Sequence, residues 1–93
     1  LMLTLAELRD QIDKLDDKII NLLDQRMRVS EQIGAYKREN NITILQTKRW
    51  DDMLKSRLNL GAKKGLSDEL ISKIFRAVHQ ESINRQTQIM NED

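Results

Sequence analysis

Apolar residues recur near the start of the chain at alternating steps of three and four: Leu5, Leu8, Ile12, Leu15, Ile19, Leu22, then Val29, Ile33 and Tyr36. That spacing keeps one face of an α-helix apolar. Asp10, Asp13, Lys14 and Asp17 fall on the opposite, solvated face. Thr4 is placed to cap the N-terminus, and Glu7 three residues later completes a capping box. The stop is expected at Glu39–Asn41, because asparagine tolerates the left-handed conformation that ends helices. The pattern thus predicts one helix of about 36 residues and about 54 Å. Two short helices cannot cover a stripe of that length, so it calls for a partner, the simplest being a second copy of the chain.

A second helix is expected to start near Gln46 or Thr47 and to end at Gly61, with Trp50, Met53, Leu54 and Leu58 on its apolar side. "GAKKG" reads as a turn bounded by glycines, its two lysines in solvent. Ser67 caps a third helix whose first turn carries Asp68 and Glu69. Ile71, Ile74, Phe75, Val78 and Ile89 are its expected buried positions. The fold class read from the pattern is all-α: one domain over residues 1–93, with three helices, the first very long.

Composition agrees. There is no proline, glycine occurs three times and aromatics make up 3%, which favours helix over sheet. Sixteen Lys and Arg against fifteen Asp and Glu leave a net charge of +1, so no basic surface for nucleic acid stands out. The lack of cysteine removes disulfides and thiolate chemistry. No apolar run approaches the roughly 18 residues of a membrane span, and no signal peptide is visible. A soluble, cytoplasmic protein with no membrane partner is the expectation. The start at Leu1, followed by Met2, fits a domain cut from a longer protein as well as a free-standing one.

The stripe carries polar interruptions. Arg26 lies about 40° from Ile12 around the helix axis and Lys37 about 20°, both within an apolar face at least ~100° wide. Eleven residues separate them, about 16 Å along the axis. Ser82 and Gln86 continue the face of Ile71, Val78 and Ile89, and Arg49 adds a cation near the start of the second helix. Burying unpaired cations is costly, so something must compensate them. Together these groups point to a pocket for a small molecule with several anionic oxygens. Arg9 borders the stripe but lies about 25 Å before Arg26 along the axis. It reaches such a pocket only from an antiparallel second chain. His79 is the sole histidine and reads as a surface or packing residue, not a metal ligand.

With the segments "ELRDQID", "DQRM", "AYKREN", "TKRWDD" and "NRQTQ" in a three-helix layout, the chain resembles the all-helical (AroQ-class) chorismate mutases over about Leu5 to Met90. The spacings carry the likeness: 17 residues from Arg9 to Arg26, 11 more to Lys37 and 12 more to Arg49. The resemblance implies an intertwined homodimer that rearranges chorismate to prephenate with no cofactor and no metal. It implies that Lys37 and Gln86 donate to the ether oxygen of the breaking bond. Arg26 holds a carboxylate with Arg9 of the partner subunit, Arg49 serves the other end, and Ser82 lines the site. Many members carry a glutamate, which accepts from the substrate's ring hydroxyl, where this chain has Trp50; Gln46 or, less favourably placed, Asp52 is the substitute. Trp50 itself reads as packing. The missing glutamate leaves room for isochorismate-pyruvate lyase, a relative of the same fold. A third reading is a non-catalytic helical dimerisation or regulatory module. The family also occurs fused to other shikimate-pathway enzymes, which makes such an enzyme a possible companion.

Overall fold

A computed structural model describes residues 2–92. It is all-α, with α1 at Leu5–Glu39, α2 at Thr47–Lys63 and α3 at Asp68–Met90. The expected capping box opens α1: Thr4 Oγ1 accepts from the Glu7 amide at 3.1 Å, and the Glu7 carboxylate accepts from the Thr4 amide at 3.3 Å. At the other end Asn41 takes φ +54°. The Asn41 amide donates to the Arg38 carbonyl and the Ile42 amide to the Lys37 carbonyl at 2.8 Å, a Schellman closure that turns the chain back on itself.

The end of α2 differs from expectation. The helix runs through Gly61 to Lys63. Gly61 is buried against α3, where an added Cβ would stand 2.6 Å from Ile71 Cγ1. It is therefore a close-approach residue and not a stop. The reversal comes at Gly65, φ +74°, with the Leu66 amide donating to the Gly61 carbonyl at 2.9 Å. Ser67 caps α3 as expected, its hydroxyl accepting from the Leu70 amide at 3.1 Å.

The third helix packs on both others, α1 and α2. The apolar core is small: Met27, Met53, Ile71 and Val78. Ile74 and Phe75 correct the sequence reading. Ile74 is exposed and Phe75 only half-buried, with the Arg57 guanidinium 5.9 Å from its ring centre. Among the described residues α3 packs only on α1 and α2, and Ile74 falls outside the buried side of those contacts. The molecule measures 59 × 28 × 15 Å with a radius of gyration of 17.0 Å; a compact chain of this length would have about 12 Å. The difference is the N-terminal half of α1, which projects from the rest. Leu8, Ile12, Leu15 and Ile19 stand there 45–56% exposed, along one face.

Candidate active site

Where α1, α2 and α3 meet, a pocket of about 400 Å³ opens. Its α1 wall carries Arg26, Ser30 and Lys37, its α2 wall Arg49, Trp50, Met53 and Arg57, and its α3 wall His79, Ser82 and Gln86. Ile44 and Gln46, from the α1–α2 connection, close one end. The walls stand close because Gly34 has no side chain. A Cβ there would lie 2.9 Å from the Gln86 Cα, so α3 rests directly on the backbone of α1 at the level of Lys37.

Several of the polar groups pair with one another. Arg26 Nη1 donates to Ser82 Oγ at 2.7 Å, and its other terminal nitrogen lies 3.7 Å from Met53 Sδ. Ser30 Oγ donates to Ser82 Oγ at 2.9 Å. Lys37 Nζ donates to the Ile44 carbonyl at 2.8 Å and to Gln86 Oε1 at 2.9 Å. Because an ammonium only donates, that bond fixes the Gln86 amide with its oxygen toward Lys37 and its NH₂ free to donate. The Schellman turn at Asn41 brings the Ile44 carbonyl back to Lys37.

Charge is strongly one-sided. No Asp or Glu among the described residues lines the pocket. Among the described residues, Arg26, Lys37, Arg49 and Arg57 take part in no ion pair. Burial, then the nearby charges of Arg57 and Arg49, push the Arg26 guanidinium below its ordinary value. Burial does the same to the Lys37 ammonium. His79 is also held below its usual value, by burial first and then by Arg26 and Lys37. The pocket is thus suited to a compact polyanion, and to holding one cation against a reacting atom.

The family model described as chorismate mutase type II matches residues 8–87. The chain belongs to the chorismate mutase type II family. It is 34% identical over 82 residues, 88% of its length, to the bifunctional chorismate mutase/prephenate dehydratase of Buchnera aphidicola subsp. Acyrthosiphon pisum. It is 32% identical over 87 residues, 94% of its length, to the T-protein of Haemophilus influenzae. To the bifunctional chorismate mutase/prephenate dehydratase of Escherichia coli K12 it is 25% identical over 88 residues. The aligned stretches cover 21%, 23% and 23% of those proteins, so this chain spans about a fifth of the length of the curated relatives it matches.

In this type II chorismate mutase fold, six of the seven residues singled out in the sequence line one pocket: Arg26, Lys37, Gln46, Arg49, Ser82 and Gln86. Arg9 does not; it is exposed on the projecting part of α1. Trp50 and His79 do pack, as the sequence reading has it, but they do so on the pocket wall. Both line the pocket, with their rings stacked at 4.2 Å between centres and 20° between planes. Asp52 is excluded as a stand-in for the family glutamate: it is exposed and paired with Lys48 at 2.9 Å. The sequence reading missed Ser30 and Arg57. Ser30 lies one turn after Arg26 on the same stripe, and Arg57 one turn after Met53, so helical spacing was an available signal for both. The Ile44 carbonyl had no side-chain signal at all. No helix among the described residues is long and apolar enough to cross a membrane.

Proposed function

We propose that this chain is a chorismate mutase domain that works as a homodimer in the biosynthesis of aromatic amino acids. The supporting observation is the Lys37–Gln86 pair, held at 2.9 Å in a pocket whose guanidiniums have no carboxylate partner among the described residues. The reaction is an intramolecular Claisen rearrangement: the ether C–O bond breaks, a C–C bond forms, and no proton, metal or nucleophile takes part. Such a step is accelerated by holding the enolpyruvyl arm folded over the ring. It is also accelerated by donors aimed at the charge growing on the ether oxygen. Arg26 takes one carboxylate in place of its contact with Ser82, and Arg49, aided by Arg57, serves the other end of the dianion. Lys37 and the Gln86 NH₂ donate to the ether oxygen. Lys37 arrives preorganised by the Ile44 carbonyl, so little reorganisation is left for the transition state.

The exposed apolar face of α1 supports the dimer. Covering it with an antiparallel second α1 would bring Arg9 of the partner subunit toward the pocket and supply a further cation for the substrate. The relatives named as bifunctional also make a companion activity on the same or an associated polypeptide part of this proposal.

A second reading, isochorismate-pyruvate lyase, is favoured by one observation: among the described residues no carboxylate lines the pocket. The experiment is to incubate the purified protein separately with chorismate and with isochorismate. Prephenate from chorismate is the expected result. Salicylate and pyruvate from isochorismate, with no prephenate, would establish the lyase instead. Turnover of neither, with no binding of an oxabicyclic dicarboxylate mimic, would leave only a dimerisation module.

A further inference from the structure

We propose that the imidazole of His79, held flat against Trp50 on the α3 wall, accepts a hydrogen bond from the ring hydroxyl of the substrate and positions the ring. This inference rests on the chorismate mutase reading and adds a substrate contact to it.

The argument is an inventory of donors and acceptors. At neutral pH chorismate is a dianion with one hydroxyl, its only hydrogen-bond donor. That proton needs an acceptor once the substrate leaves water. Arginine, lysine and tryptophan side chains only donate. Ser82 is buried, its Oγ accepting from Ser30 and directed at Met27 Sδ at 3.8 Å. Ser30 is buried in the α1–α3 seam, its hydroxyl directed at Ser82. Gln86 Oε1 and the Ile44 carbonyl each already accept from Lys37 and lie at the end of the pocket where its ammonium sits. Among the described residues, two side-chain acceptors on the lining receive no hydrogen bond from the protein: the Gln46 amide oxygen and a ring nitrogen of His79. Gln46 is exposed, its amide nitrogen 3.4 Å from the Thr43 carbonyl, so fixing it against substrate costs rotamer entropy. His79 is half-buried and already stacked on Trp50 at 4.2 Å.

A neutral imidazole has one acceptor nitrogen; a charged one has none. The surroundings keep it neutral. Arg26 and Lys37 on α1 and Arg49 and Arg57 on α2 line the same pocket, with no carboxylate among the described residues. On α3, Arg76 lies 5.8 Å from the Trp50 ring centre. Burial, Arg26 and Lys37 lower the affinity of His79 for a proton. The acceptor therefore persists to a pH below the ordinary histidine value of 6.5 and is lost on further acidification.

The test compares wild type, His79→Phe and His79→Gln on two substrates: chorismate and an analogue with hydrogen in place of the ring hydroxyl. His79→Phe keeps a flat ring on Trp50 but has no acceptor. Its kcat/KM on chorismate should fall about 10- to 100-fold at neutral pH. On the hydroxyl-free analogue it should stay within about threefold of wild type. His79→Gln keeps an acceptor that does not titrate, so the acid limb of the wild-type kcat/KM profile should disappear. The chain has one histidine, so its imidazole NMR titration in the free protein gives the midpoint that this limb must match. Equal losses on both substrates, an acid limb that survives in His79→Gln, or a fully active His79→Phe would each overturn the assignment and leave the mutase reading intact. A wild-type protein inert toward chorismate would remove both.

Discussion

Gly34→Ala is the sharpest test of how the fold sets the site. The added methyl carbon would stand 2.9 Å from Gln86 Cα, 3.2 Å from the Gln86 carbonyl oxygen and 3.3 Å from Ile89 Cβ. Carbon–carbon contacts are comfortable at about 3.5–4.0 Å, and two of these neighbours are backbone atoms that no rotamer change relieves. The third helix must therefore retreat by roughly 0.6–1 Å at Gln86. The Lys37–Gln86 hydrogen bond, now 2.9 Å, would lengthen to roughly 3.5–3.9 Å, where it no longer holds. Stability should fall by no more than about 2 kcal/mol. Replacing a helical glycine by alanine gains about 1 kcal/mol, while overpacking costs about 1–3 kcal/mol. Turnover should fall much further, because a displacement near 1 Å of a catalytic group costs about 100-fold. Initial-rate assays on chorismate measure kcat, and thermal unfolding by circular dichroism measures stability. Gly61→Ala is the control. Its added carbon meets only the Ile71 side chain, at 2.6 Å and 3.0 Å, so it should lower Tm and leave kcat within about twofold of wild type. A Gly34→Ala protein with wild-type kcat would refute the claim that backbone contact at Gly34 aims Gln86.

Lys37→Ala should lower kcat about 100- to 1,000-fold while the circular dichroism spectrum stays helical; turnover near wild type would remove Lys37 from its proposed role. Since Lys37 must be charged to act, and burial lowers its affinity for a proton, activity should fall as pH rises through a value below the ordinary lysine figure of 10.5. Lys37→Arg, if active at all, should push that alkaline limb upward. Arg9→Ala and Arg26→Ala should each be severely impaired alone. Mixed in equal amounts and allowed to exchange subunits, they should regain roughly a quarter of wild-type activity, because each heterodimer rebuilds one intact site. No recovery on mixing would show that Arg9 does not act across a dimer.

The length of α1 was legible because three local signals agree: a heptad stripe, a capping box at Thr4 and an asparagine fit for positive φ at its end. The end of α2 was not, because Gly61 and Gly65 look alike in sequence. One is glycine for contact with Ile71, the other for its φ of +74°, and only the packing separates those reasons. Arg26, Lys37, Ser82 and Gln86 were readable because a polar group on an apolar face carries a cost that demands a purpose. That His79 and Trp50 pack on each other at the pocket wall was not legible, because each is unremarkable in a helix by itself. Their meaning comes from α2 and α3 meeting face to face. The exposure of Ile74 likewise depends on which side of α3 has a neighbour, and periodicity does not encode that.

The bond from Lys37 Nζ to the Ile44 carbonyl gives the seven-residue step between them a second meaning. The stretch after α1 behaves less as a tether than as a ruler. Its length, and the single left-handed residue Asn41 that folds it back, determine where one backbone oxygen falls, and that oxygen aims the ammonium. An insertion there would leave every pocket side chain in the sequence and still detune the site. The connection between α1 and α2 should therefore be as intolerant of length change as a helix interior, although it has no regular structure of its own.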